Sequence, residues 1–183
     1  MTEMPYTPTD VERDALSRIR TCLGPKGWVD DAETLTPWLI DSRRVYEGRC
    51  LGMARPANTQ EVAEILAIAY KAGLQIVPQG GNTGRVGGAT PDTTGRQLLL
   101  NLGRMNSVRD VDAANYTMTV EAGCILKDLQ GVAEQADRLF PLSLGAEGSC
   151  QIGGNLASNA GGINVVRYGN ARDLVLGLEV VLP

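Results

Sequence analysis

The chain has 183 residues, enough for one good core or for two small lobes that share a ligand. Apolar residues make up 43% and charged residues 21%, an ordinary globular composition, and the net charge is −4. The absence of any Lys/Arg cluster argues against a nucleic-acid footprint, and no apolar run approaches the roughly 18 residues of a membrane span. There is no histidine, which removes imidazole triads, imidazole metal sites and the commonest general base.

Glycine is the anomaly. There are 22, about 12% against an average near 7%. Five fall in residues 80–88 and six in residues 145–162. Each ordered glycine costs about 0.5–1 kcal/mol relative to alanine, so such stretches answer a need for backbone shapes or close approaches that a Cβ forbids. The four cysteines Cys22, Cys50, Cys124 and Cys150 are scattered, with no C-x-x-C spacing, and read as buried or half-buried free thiols. With an N-terminus that lacks an export signal and is acidic for a transit peptide, they give a cytoplasmic expectation.

In chain order, Thr9 with Glu12 predicts a capping box and a first helix, with Val11, Ala15, Ile19 and Cys22 on one face and Gly24-Pro25 as its stop. Residues 26–50 show no clear period and read as a lead-in. A short extended piece is expected at 50–54. Asn58 and Glu61 open a second helix with the stripe Val62, Ile65, Leu66 and Ala69, closed by Gly73. Residues 74–78 and 97–102 read as buried strands, so 51–102 is β-α-β-loop-β, a small α/β lobe. Strands are expected at 108–112 and 116–122, then a helix with Ile125, Leu129, Val132, Ala133 and Ala136 on one face. The second glycine-rich stretch follows, and then a strand over 174–182. A buried apolar strand as the last element suggests that the chain is part of a longer protein. The expected division is 1–50 as a helix and lead-in, 51–104 as a first lobe and 105–183 as an incomplete second lobe.

The first glycine loop leaves a strand as Pro78, Gln79, Gly80, Gly81, Asn82, Thr83, Gly84, Arg85, Val86, Gly87, Gly88. Closely spaced glycines let successive N–H groups turn toward one point, a nest for an anion, while Asn82 and Thr83 add uncharged hydrogen-bonding groups. It matches neither the dinucleotide fingerprint G-x-G-x-x-G nor the Walker A pattern. A glycine-rich hairpin without a ligand stays open as the alternative. The second stretch places Gly153-Gly154 before small residues at a helix start, which again aims N–H groups outward, or serves only a tight helix–sheet contact. Two such stretches about sixty residues apart are most simply explained by one large ligand.

The ordered series PQGGNTG-x-VGG, RMN, VEAGC, FPLSLGAEGSCQIGGNLASNAGG, RYG and VLGLEVVL, with ARPANTQEVAEIL upstream, resembles the FAD-binding domain of PCMH type shared with vanillyl-alcohol oxidase. Within that family it is most similar to the D-2-hydroxyglutarate dehydrogenases and their glycolate- and lactate-oxidising relatives, over about residues 35–183. The resemblance implies an α+β fold, with a small α/β lobe, a larger and mainly antiparallel lobe, and FAD in the cleft. Gly80, Gly81, Asn82, Thr83 and Gly84 would wrap the pyrophosphate, flanked by Pro78, Gln79 and Gly87. Leu144, Gly145, Gly148, Ser149, Ile152, Gly153, Gly154 and Asn155 would line the pyrophosphate and ribityl chain. Asn159, Gly161 and Gly162 would lie near the flavin ring, and Val180 on the adenine side.

Relatives with covalent flavin carry histidine where this chain has Asn82, so non-covalent FAD is implied, and a thioether to Cys150 is set aside. Arg85 departs from the apolar residue usual in the family and is expected to face water. The activity implied is oxidation of a D-2-hydroxy acid by hydride transfer to FAD, with electrons passing to a flavoprotein carrier or a quinone. A sugar-lactone oxidase or nucleotide-sugar reductase on the same domain, or a flavin-binding module without activity of its own, are the competing readings. Catalytic residues and any divalent metal would belong to a substrate domain beyond residue 183, and homodimerisation is left open.

Overall fold

The computed structural model describes residues 6–182. The predicted capping box opens helix α1 (Asp10–Gly27): Thr9 Oγ1 accepts the Glu12 N–H at 3.3 Å, and Glu12 accepts the Thr9 N–H at 2.7 Å. Gly24, at φ 62°, breaks the helical run just before Pro25. Ala15, Ile19 and Leu23 form its buried stripe. Val11 is in phase with them but lies in the first turn and stays 62% exposed.

The lead-in is more regular than its composition predicts. It contains strand β1 (Trp28–Val29) and helix α2 (Ala32–Leu39), whose N-terminus is capped by Asp31 accepting the Thr34 N–H at 2.8 Å. Pro37 inside an eight-residue helix, with two threonines, leaves too weak a periodic signal to be read beforehand.

Strand β2 (Met53–Ala54), helix α3 (Thr59–Ala72), strand β3 (Gln75–Gln79) and strand β4 (Gln97–Asn101) realise the predicted β-α-β-loop-β order. The sheet order is β1-β2-β4-β3, parallel except for β1. Register puts Met53, Leu99 and Val77 side by side on one face, where Leu35 of α2 packs on them. Leu98 and Leu100 alternate to the opposite face and are buried as well, so β4 is covered on both sides. Helices α1 and α3 pack on each other, with Ile19 and Ile65 fully enclosed.

The chain divides into two compact units, Met1–Arg104 with Val180–Pro183, and Met105–Glu179. In the second unit, β5 (Val108–Asp112) and β6 (Thr117–Val120) form an antiparallel pair around a turn in which Asp112 accepts the N–H groups of Ala114 and Asn115, both at 3.0 Å. Helix α4 (Leu126–Gln135) buries Leu126, Leu129 and Ala133. Two short helices, α5 (Ile152–Ala157) and α6 (Val165–Tyr168), and a 3₁₀ turn (Ala171–Leu174) complete it.

One expected element does not form. Residues 175–182 are not a strand, and Leu176, Leu178, Val180 and Leu182 are exposed. Their alternation is that of a strand, but a strand also requires a neighbouring chain to take its hydrogen bonds, and alternation alone does not supply one.

The two stripes can be compared by mutation. Ile65→Ala is expected to cost roughly 2–5 kcal/mol, whereas Val11→Ala stays within about 0.5 kcal/mol, measured from urea unfolding midpoints.

Candidate functional site

The first glycine loop leaves β3 at Gln79, whose buried side chain is fully engaged within the protein. Its Nε2 donates to the carbonyls of Trp38 at 2.9 Å and Ala89 at 2.8 Å, tying the start of the loop to its end and to α2. Buried Asn101 donates to Gln79 Oε1 at 3.4 Å and to the Gly80 carbonyl at 3.3 Å, and accepts the Gly103 N–H at 3.0 Å. Asn82 holds a left-handed backbone, φ 53°, a conformation that asparagine tolerates better than most residues. Its side-chain amide donates to the carbonyls of Ile40 at 2.8 Å and Pro37 at 3.2 Å. Ser42 Oγ donates to the Gly84 carbonyl at 3.1 Å.

The side chains of Gln79 and Asn82 and the carbonyls of Gly80 and Gly84 are therefore engaged with the protein, and the N–H groups of residues 80–84 are not. Among the described residues, the backbone N–H groups of Gly80, Gly81, Asn82, Thr83 and Gly84 donate to no acceptor. Consecutive uncommitted N–H donors on a braced loop are what an anionic oxygen requires. Pro78, Gly84, Arg85 and Val86 are exposed, and Arg85 makes no ion pair among the described residues.

In the second stretch the glycines divide into two kinds. A Cβ on Gly153 would come within 2.8 Å of the Ala122 Cβ, and the Gly153 N–H already donates to the Ala122 carbonyl at 2.8 Å. A Cβ on Gly162 would collide with the Ser143 carbonyl. These two answer to close packing. Gly145, Gly148 and Gly154 are exposed, a Cβ on any of them would meet nothing within 4 Å, and their N–H groups have no acceptor among the described residues. Ile152 and Asn155 are buried, the former in a cluster with Cys124 and Leu129. Leu144 packs against the cluster of Leu126, Leu142, Cys150 and Ala171. Ser149 is exposed, with its N–H on the Ala146 carbonyl at 2.9 Å. Asn159, at φ 48°, accepts the Arg172 N–H at 3.1 Å, and Gly161 lies beside the Asn170 side chain. Cys150 is buried and its thiol is pushed up by that burial, which disfavours the thiolate needed for covalent chemistry. All four cysteines are free.

The turn carrying Gly145 and Gly148 is organised by Glu147, which sequence reasoning did not single out. Its carboxylate accepts from Gln130 at 3.1 Å and Ser143 Oγ at 3.0 Å, and lies 3.5 Å from Lys127. The Gln130 bond first, and then the Ser143 bond, hold its pKa below the ordinary glutamate value.

Residues 51–183 match the FAD binding domain family. The chain belongs to this family. The mitochondrial D-2-hydroxyglutarate dehydrogenase of Bos taurus is 42% identical over 172 residues, covering 94% of this chain and 31% of that protein. The mitochondrial D-2-hydroxyglutarate dehydrogenase of Arabidopsis thaliana is 42% identical over 166 residues, 91% of this chain and 29% of that protein. The chain thus spans about 30% of the length of the curated relatives it matches. Among solved structures, alkyldihydroxyacetonephosphate synthase superposes with a TM-score of 0.82 at 19% identity, over 94% of this chain and 33% of that one. p-Cresol methylhydroxylase superposes with a TM-score of 0.69 at 20% identity, over 86% of this chain and 31% of that one. These neighbours establish the fold.

FAD is the cofactor of this family, and the donor chemistry here fits it: uncommitted N–H groups on glycines 80, 81 and 84 suit a pyrophosphate. The cytoplasmic expectation is overturned, because the relatives at about 40% identity are named as mitochondrial enzymes. It rested on scattered thiols and an acidic N-terminus, and neither property distinguishes one reducing compartment from another. Among the described residues no helix is long and apolar enough to cross a membrane.

Because its folded pKa is lowered, Glu147 contributes stability that is fully present above its unfolded value of about 4.3 and is lost as pH falls through the folded value. The urea midpoint of Glu147→Gln is expected to lie below that of the native chain at neutral pH and to approach it below about pH 4.

Proposed function

We propose that the two glycine-rich stretches hold FAD without a covalent bond, and that the full-length protein oxidises a D-2-hydroxy acid resembling 2-hydroxyglutarate to the 2-oxo acid. The observation that carries the binding half is the run of uncommitted N–H groups from Gly80 to Gly84. In the second stretch, Gly145, Gly148 and Gly154 offer further free donors in open space. The substrate half is supported by relatives at about 40% identity that are named D-2-hydroxyglutarate dehydrogenase, among them those of Bos taurus and Arabidopsis thaliana.

Bound FAD supplies a two-electron acceptor for the hydride on C2 of the hydroxy acid. This chain's part is to bind and orient. The backbone of residues 80–84 neutralises phosphate charge through dipoles alone, which suits a chain of net charge −4. Asn82 serves through its backbone, because its amide is engaged with Pro37 and Ile40. Gln79 likewise acts as a brace, and Pro78 and Gly87 frame the loop. Leu144, Ile152 and Asn155 shape the second stretch from within its core, Ser149 stands at its surface, and Asn159, Gly161 and Gly162 carry the turn assigned to the flavin ring. Val180, on the exposed segment after the 3₁₀ turn, is assigned to the adenine side. In this reading 51–104 and 105–183 are the two FAD-binding lobes, with 1–50 as their lead-in. The acid–base residues and any divalent metal belong to a substrate domain, and the electrons leave to a flavoprotein carrier or a quinone.

Full-length protein assayed against 2-hydroxyglutarate, lactate, glycolate and an aldonolactone is expected to bleach its flavin with the D-2-hydroxy acids. Reduction by the lactone alone would reject the substrate assignment. Denaturation is expected to release all the flavin into the supernatant. Gly154→Asp, which adds a carboxylate in open space beside a free donor, is expected to weaken FAD by at least about tenfold while leaving the fold intact, since a negative charge near phosphate is repelled. Gly153→Asp is expected to disrupt folding instead, because its Cβ has no room beside Ala122.

A further inference from the structure

Segment 37–46, which carries no recognised motif, meets four residues of the first glycine loop, Gln79, Asn82, Gly84 and Gly87. The Pro37 and Ile40 carbonyls take the Asn82 amide, and the Trp38 carbonyl takes the Gln79 amide. Ser42 donates to the Gly84 carbonyl, and the Tyr46 ring lies where a Cβ on Gly87 would come within 2.9 Å of it. The shape of this segment depends on a single carboxylate. Asp41, only 3% exposed, accepts the N–H groups of Val45 at 2.6 Å and Tyr46 at 2.7 Å on one oxygen, and that of Arg43 at 3.1 Å on the other. The turn is closed by backbone bonds from Asp41 N–H to the Tyr46 carbonyl at 3.0 Å and from Gly48 N–H to the Leu39 carbonyl at 2.9 Å.

A buried carboxylate next to a loop that receives an anion is electrostatically unfavourable unless its charge is committed elsewhere. Here it is committed to three backbone donors, which lets the 41–46 turn present Ser42 and Tyr46 to opposite ends of residues 84–87.

We propose that Asp41 is a positioning residue for FAD: by folding the 41–46 turn it fixes the 80–87 loop in the shape whose free N–H groups receive the pyrophosphate. This rests on the reading of that loop as the pyrophosphate cradle. Asp41 acts on the cofactor only through the loop.

The test uses full-length protein stripped of flavin and titrated with FAD and with ADP, which shares the pyrophosphate and lacks the flavin. Asp41→Ala removes all three acceptors and is expected to weaken both ligands equally, by about tenfold or more, as several charge-assisted hydrogen bonds are lost. Asp41→Asn keeps the oxygen that serves Val45 and Tyr46 and is expected to restore both affinities to within about threefold of the native protein. Ile65→Ala, which destabilises the same unit away from the loop, should leave the affinity of the folded fraction unchanged. A folded Asp41→Ala protein that binds FAD and ADP as tightly as the native one overturns the proposal. If that variant does not fold, Ser42→Ala decides: a loss of about threefold or more for both ligands supports the proposal, and unchanged affinity overturns it. Native protein that binds FAD but not ADP would instead reject the cradle reading itself, and the role of Asp41 with it.

Discussion

A buried or ligand-facing backbone donor must find an acceptor, and the design of this domain follows from where its donors are left without one. Among the described residues, each hydrogen bond made by residues 80–84 engages a side chain or a carbonyl, and none engages a main-chain N–H. A loop left to minimise its own energy would fold those donors onto its own carbonyls. It does not, because Asn82, Gln79, Asn101 and Ser42 have already used those carbonyls or pinned the loop to α2 and the turn that follows it. The surface that this loop leaves open is therefore made of dipoles, and the Gln79 and Asn82 side chains are its scaffold.

The second stretch obeys the same constraint with a different division of labour. Gly153 and Gly162 exist so that chains can approach closely, and the donor of Gly153 is spent on that contact. Gly145, Gly148 and Gly154 keep both space and donors. Glu147, held by Gln130 and Ser143, sets the turn between the first two of them, much as Asp41 sets the turn beside the first loop. In each unit a carboxylate that binds protein donors shapes a loop whose own donors stay free.

Membership of the FAD binding domain family, together with about 40% identity to named D-2-hydroxyglutarate dehydrogenases, gives these loops a chemical context. The chain has no histidine, and binding a pyrophosphate through main chain, as proposed for these loops, needs no titratable group. Orientation and charge neutralisation can be supplied by backbone geometry, whereas proton transfer cannot.

The sequence by itself determined the helices α1, α3 and α4, the strands β3 to β6, both glycine stretches and the family. Each of these is a local property: Thr9 with Glu12, the 3.6-residue stripe through Ile65, and glycines at fixed spacing are all readable within a few positions. Helix α2 and the Asp41 turn were not legible, because Pro37 and a mixed composition mask them and their stability comes from Leu35 on the sheet and from three donors gathered by one carboxylate. The segment 175–182 was misread for the converse reason, since its alternation is local but strand formation depends on a partner that alternation does not specify. Only the tertiary structure decided which motif residues are braces and which glycines keep free donors. Hydrogen bonds between residues 42 positions apart, such as Asn82 to Ile40 and Ser42 to Gly84, leave no periodic trace in a sequence.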